Sequence, residues 1–150
     1  MTRPTEARVP RILIADDNPQ NAELMEAHLD GTGWDARIAT DGDAAFAAAL
    51  EWNPDAILLD IMMPKLSGFD VCKKLRAEER TASVGILMVT ALDRPTDVER
   101  AIEAGTDDFL TKPIHKSELL LRLRAILEAR SQTDPVERSL AYFRRASFSN

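Results

Sequence analysis

The 150-residue sequence holds one cysteine, Cys72, which excludes an intramolecular disulfide and a cysteine-rich metal site. Histidine is nearly as scarce: His28 and His115 have no cysteine or third histidine to complete a zinc site. No apolar run approaches the ~20 residues that span a bilayer. The opening MTRPTEARVP carries charges and two prolines where a signal peptide would place its apolar stretch. Positive charge is not in excess either. A net charge of −6 argues against broad contact of the bulk surface with nucleic acid or anionic membrane, and leaves room for a local basic patch. What remains is ordinary globular material, 45% hydrophobic and 29% charged, long enough for one domain with a real core. A cytoplasmic protein, with no membrane segment, is expected.

Two hydrophobic periods alternate along the chain. RILIA (11–15) reads as a short buried strand, and residues 19–30 as a helix with Leu24, Met25, His28 and Leu29 on its inner stripe. Asn18 before Pro19 supplies a cap and a proline at the first helical position. After GTGW, residues 35–39 form a second strand. DGDAAFAAALEWN follows as a helix, with Asp41 or Asp43 near its start and Asn53-Pro54 as its stop. Residues 56–59 are apolar without alternation, as in a parallel strand covered on both faces. MMPKLSG is a loop, and FDVCKKLRAEE a helix whose inner side carries Phe69, Cys72 and Leu75. Residues 84–89 make a fourth strand, and residues 95–104 a helix closed by Gly105. Residues 107–110 make a fifth strand, and residues 116–130 a helix carrying Leu119, Leu120, Leu123, Ile126 and Leu127. Five such βα units predict an α/β fold, a doubly wound parallel sheet with helices on both faces. The chain then divides into an N-terminal tail (1–10), one domain (11–130) and a C-terminal extension (131–150). That extension is read as a short extra helix, the first turn of a further output domain, or a mobile tail.

Parallel strands point one way, so their C-terminal ends share the edge where doubly wound folds bind ligands. Strand one ends in Asp16-Asp17, strand three in Asp60, strand four in Thr90, and strand five leads into Lys112-Pro113. Each alone reads as a turn, cap or surface residue. Together, hard oxygen ligands without histidine or cysteine suit Mg²⁺ or Mn²⁺, which would let Asp16 and Asp17 tolerate each other. Asp60, on the central strand, is the best candidate for a nucleophile toward a phosphoryl group. Thr90 is placed to donate to one phosphoryl oxygen and Lys112 to neutralise another.

These residues resemble the receiver domain of two-component response regulators, of the kind found in front of diguanylate-cyclase outputs or as single-domain regulators. The matching stretches are RILIADDN, PDAILLDIMMPKLSGFDVCKKLR, ILMVTALD and GTDDFLTKPI, spread over about residues 11–130. The resemblance implies a (βα)₅ flavodoxin-like fold of strand order 2-1-3-4-5. It implies a phosphorylation-dependent signalling module, with phosphoryl transfer from a histidine kinase or histidine phosphotransfer protein onto Asp60. Asp16, Asp17, Asp60 and the backbone carbonyl of Met62 would hold Mg²⁺. The switch residues would be Thr90 and Phe109, and the Lys112–Pro113 peptide would be cis. The two variable positions that tune dephosphorylation fall on Met62 and Leu92, neither able to polarise water.

Enzymatic activity beyond Mg-dependent self-phosphorylation and self-dephosphorylation is not expected. A phosphatase or phosphotransferase of the haloacid-dehalogenase kind would need a second aspartate where Met62 stands. A flavodoxin-like cofactor protein would need a phosphate cradle where DDNPQ would repel the ligand. A degenerate receiver acting as a scaffold conflicts with the intact set. With no helix-turn-helix signature, no direct DNA binding is expected, and output passes to a downstream protein, the tail or an absent output domain. The face of the fourth helix, fifth strand and fifth helix is the predicted output surface. A homodimer there would use Asp107, Asp108 and Glu118 against Arg100 and Arg122 in isologous ion pairs, with Leu121 as a surplus apolar contact.

Overall fold

The computed structural model describes residues 8–91 and 94–130; the readings of Leu92 and of the segments 1–7 and 131–150 lie outside them. Five strands, β1 (Arg11–Ala15), β2 (Asp35–Ala39), β3 (Ala56–Leu59), β4 (Gly85–Thr90) and β5 (Asp108–Thr111), alternate with five helices. The helices are α1 (Pro19–His28), α2 (Gly42–Trp52), α3 (Gly68–Ala77), α4 (Pro95–Ala104) and α5 (Lys116–Ala129). All strand pairs are parallel, in the order β2-β1-β3-β4-β5. The predicted doubly wound sheet is therefore the observed one.

Each central strand feeds two cores. Leu13, Ile57, Leu59, Ile86 and Met88 face one cluster with Phe69, Cys72 and Leu75 of α3. Ile12, Ile14, Leu58, Leu87 and Val89 face the other, with Met25 of α1 and Leu119, Leu123 and Ile126 of α5. Burial on both faces explains why β3 and β4 read as unbroken apolar runs. Cys72 is fully buried, and its burial pushes the thiol up to about 11, so it serves as a small core hydrophobe.

Helix starts follow local chemistry. The Asn18 side chain accepts from the N–H groups of Gln20 and Asn21, Asp41 from Ala44, and Ser67 from Asp70. Asp41 rather than Asp43 is thus the cap of α2. Gly105 closes α4 at φ 105°.

Three expectations are corrected. Leu24 is 51% exposed, because α1 turns Ala22, Met25 and Leu29 inward. β4 starts at Gly85, since the N–H of Val84 turns back to the carbonyl of Thr81. β5 runs Asp108–Thr111, one residue later than expected, although the Asp107 N–H already donates to the carbonyl of Ile86 on β4.

Candidate functional site

The sheet ladder continues one residue past β1 and β3. The Asp16 N–H donates to the carbonyl of Ala39 (3.1 Å), and the Asp60 N–H to that of Ala15 (2.9 Å). Two acidic side chains are thereby set rigidly at the same edge. Asp16 and Asp60 are buried and Asp17 is exposed. One oxygen from each of the three lies within 4.8 Å of the others.

The fifth strand brings the counter-charge. Lys112 Nζ lies 3.0 Å from Asp16 Oδ2 and 3.5 Å from Asp60 Oδ2. Its own N–H donates to the carbonyl of Thr90 (2.8 Å), and the Lys112–Pro113 peptide is cis. Thr90 closes β4, fully buried. The Asn18 N–H donates to Asp16 Oδ1 at 2.9 Å, and the Met62 N–H lies 3.4 Å from Asp60 Oδ1.

Burial pushes the Asp60 carboxyl above its ordinary value; Lys112 pulls it back and the neighbouring charge of Asp16 pushes it further up. Three ionised carboxylates against one ammonium leave an excess of two negative charges, which a divalent cation would balance. The donors are all hard oxygens on a partly exposed rim, and they fit Mg²⁺, which keeps several waters of its own.

All five residues singled out at the strand ends are at this edge: Asp16, Asp17, Asp60, Thr90 and Lys112. Met62, two residues past Asp60, is 62% exposed. Phe109 is half-buried against the core in register with Met88, next to the strand that ends in Thr90. His28 is half-buried, with Nε2 unpartnered among the described residues. His115 is exposed at the start of α5 without a side-chain cap bond.

The charges expected to pair between two copies already pair within one. Arg122 bonds Asp108 (2.7 Å) and reaches Glu118 (3.5 Å), Asp107 bonds Arg76 (2.9 Å), and the Arg100 guanidinium lies 4.1 Å over the Phe69 ring. Sequence reading also missed how the β3–α3 loop is held. Its Met63 and Gly68 N–H groups both donate to the Ile61 carbonyl, Lys65 sits at φ 73°, and Lys65 pairs with Asp41 at 3.4 Å. The only sequence signal for this was a lysine, a serine and a glycine between two apolar segments.

The family model for the response regulator receiver domain matches residues 12–124. The DNA-binding dual master transcriptional regulator RpaA of Synechocystis is 45% identical over 79% of this chain and 49% of its own length. The response regulator PleD of Caulobacter vibrioides is 39% identical over 90% of this chain and 30% of its own. The chain thus spans about half or less of the length of these relatives. Among solved structures, the receiver domain of the Pseudomonas aeruginosa sensor histidine kinase PA1611, with magnesium coordinated in its active-site cleft, superposes with a TM-score of 0.75. It shares 33% identity over 81% of this chain and 99% of that one.

Proposed function

This chain belongs to the response regulator receiver domain family, a phosphorylation-dependent signalling module, and we propose that Asp60 is its phosphoacceptor. The observation that carries the proposal is the meeting of Asp16, Asp17, Asp60 and Lys112 within ion-pair and metal-ligand distances at one sheet edge. An Asp60 carboxylate oxygen attacks the phosphorus of a phosphohistidine. An O–P bond forms, the P–N bond breaks, and its electron pair leaves on the imidazole, giving an acyl phosphate on Asp60. Attack of water on that phosphorus returns the carboxylate and inorganic phosphate, and the same carboxylate takes up phosphoryl groups from small phosphodonors.

Asp16, Asp17, Asp60 and the Met62 carbonyl would hold Mg²⁺, with Mn²⁺ as a substitute. When bound, the metal supplies charge neutralisation for the incoming phosphoryl oxygens. Lys112 moves from Asp16 and Asp60 toward a phosphoryl oxygen, as a compact mobile cation can. The Thr90 hydroxyl turns to donate to another. Phe109 then takes up space beside Thr90 and changes the surface of α4, β5 and α5. Residues 11–130 act as the unit, working in the cytoplasm, with residues 1–10 and 131–150 outside it.

The donor partner is a histidine kinase or a histidine phosphotransfer protein. The output partner is a protein or domain that docks on the α4–β5–α5 face. A homodimer through that face would have to exchange the internal Arg122–Asp108 pair for an intermolecular one. Although RpaA is described as DNA-binding, the described helices of this chain all cover its sheet, and direct DNA contact by residues 8–130 is not proposed. The test is a Phos-tag gel after incubation with acetyl phosphate and Mg²⁺. A shifted band should appear in the wild type and disappear in Asp60→Asn or with chelator; a full shift in Asp60→Asn contradicts the assignment.

A further inference from the structure

The loop from Ile61 to Ser67 carries Met62, whose carbonyl the reading above gives to the metal, and it is gripped from two sides by residues without side chains. Gly68, first residue of α3, donates its N–H to the Ile61 carbonyl at 2.8 Å. A Cβ on Gly68 would collide with the carbonyl oxygen of Asp60 and stand 2.7 Å from the Cα of Ile61. Gly42, first residue of α2, donates its N–H to the Pro64 carbonyl at 3.4 Å. A Cβ on Gly42 would collide with the carbonyl oxygen of Leu66 and stand 2.5 Å from its Cβ. Both glycines are buried, and neither has positive φ. What they supply is space rather than conformational freedom. The colliding atoms are mostly backbone, which cannot swing aside as the end of a flexible side chain can.

We propose that Gly42 and Gly68 are positioning residues for phosphoryl acceptance at Asp60. Their missing side chains let the N-termini of α2 and α3 close on the loop and hold the Asp60 backbone and the Met62 carbonyl opposite Asp16 and Asp17. The inference rests on the reading of Asp60 as phosphoacceptor. A methyl at either position must displace the loop or the helix, and Mg²⁺ accepts little departure from octahedral geometry. Gly85 provides the contrast. A Cβ there would also collide, but with the Cγ2 methyl of Ile126, at the start of β4 and so at the other end of the sheet from Asp60.

The experiment compares Gly42→Ala, Gly68→Ala and Gly85→Ala in the full chain by three readouts: Tm, Mg²⁺ affinity by calorimetry without phosphodonor, and the rate of phosphorylation by acetyl phosphate. Gly42→Ala and Gly68→Ala should weaken Mg²⁺ binding and slow phosphorylation by about 10- to 100-fold, the usual scale for sub-ångström to 1 Å misplacement of reacting groups. Gly85→Ala should lower Tm and leave both other readouts unchanged. Should Gly68→Ala fail to fold, Gly42→Ala decides from the opposite side of the loop. Wild-type Mg²⁺ affinity and rate in the folded loop variants would overturn the proposal, as would equal losses in Gly85→Ala. A wild-type protein that binds Mg²⁺ but never takes a phosphoryl group would instead refute the phosphoacceptor reading, and the Mg²⁺ affinities would still decide the role of the two glycines.

Discussion

Asp60 works against the fold that presents it. Burial and the charge of Asp16 both raise its carboxyl above the ordinary value, and Lys112 offsets them only in part. A carboxyl with a raised folded-state value binds protons more readily in the folded than in the unfolded chain. Stability of the metal-free protein therefore falls as pH rises from the unfolded carboxyl's value through the folded one, and the full cost stands above it. Asp60→Asn removes that cost. Without metal, its Tm at pH 7 should exceed that of wild type, and the advantage should vanish in acid below the ordinary carboxylate range. Thermal melts across pH check this; a lower Tm for the variant at pH 7 would mean that ionised Asp60 stabilises the fold through Lys112.

At the scale of elements, β5 is tied to α5 by Arg122 and Asp108, with side chains 28% and 17% exposed. A half-buried pair of this geometry should show a coupling of about 1 kcal/mol, the upper end for surface pairs. The check is a double-mutant cycle with Arg122→Met and Asp108→Ala in urea melts; zero coupling would free Arg122 for an intermolecular role. How far the sequence was legible follows from the same elements. The strand ends were readable because parallel β-strands buried on both faces leave an unambiguous apolar run, and the first polar residue after it marks the functional edge. The inner face of α1 was misread because Leu24 outranks Ala22 in hydropathy, whereas the spacing of Ala22, Met25 and Leu29 matches the sheet better. The roles of Gly42 and Gly68 were invisible because each depends on a contact through space with a loop backbone. The internal pairing of Arg122 was hidden for a similar reason: charge patterns do not say whether the partner is in the same molecule.

Across the whole molecule the two poles are built differently. At the pole away from Asp60, the buried Asp55 accepts from Arg8 (3.0 Å), from Arg130 (3.0 Å) and from the N–H of Arg11 (2.8 Å). One carboxylate thus fastens Arg8, the first strand and the end of α5. Asp55→Asn leaves two half-exposed guanidiniums without their charge partner and should destabilise by ~2 kcal/mol, below the range for a fully buried pair. Chemical denaturation at neutral pH checks it, and phosphorylation of the folded variant should be unchanged. The opposite pole gathers like charges and a raised carboxyl, an arrangement that costs stability and suits the cation and phosphoryl group proposed for it. The bond proposed there is an acyl phosphate on Asp60. Borohydride trapping after incubation with acetyl phosphate and Mg²⁺ tests it most directly, because borohydride reduces an aspartyl acyl phosphate to homoserine at the position that carried it. Peptide mass spectrometry should find homoserine at residue 60 and at no other aspartate; homoserine at Asp16 or Asp17, or none in a protein that has bound Mg²⁺, would contradict the account.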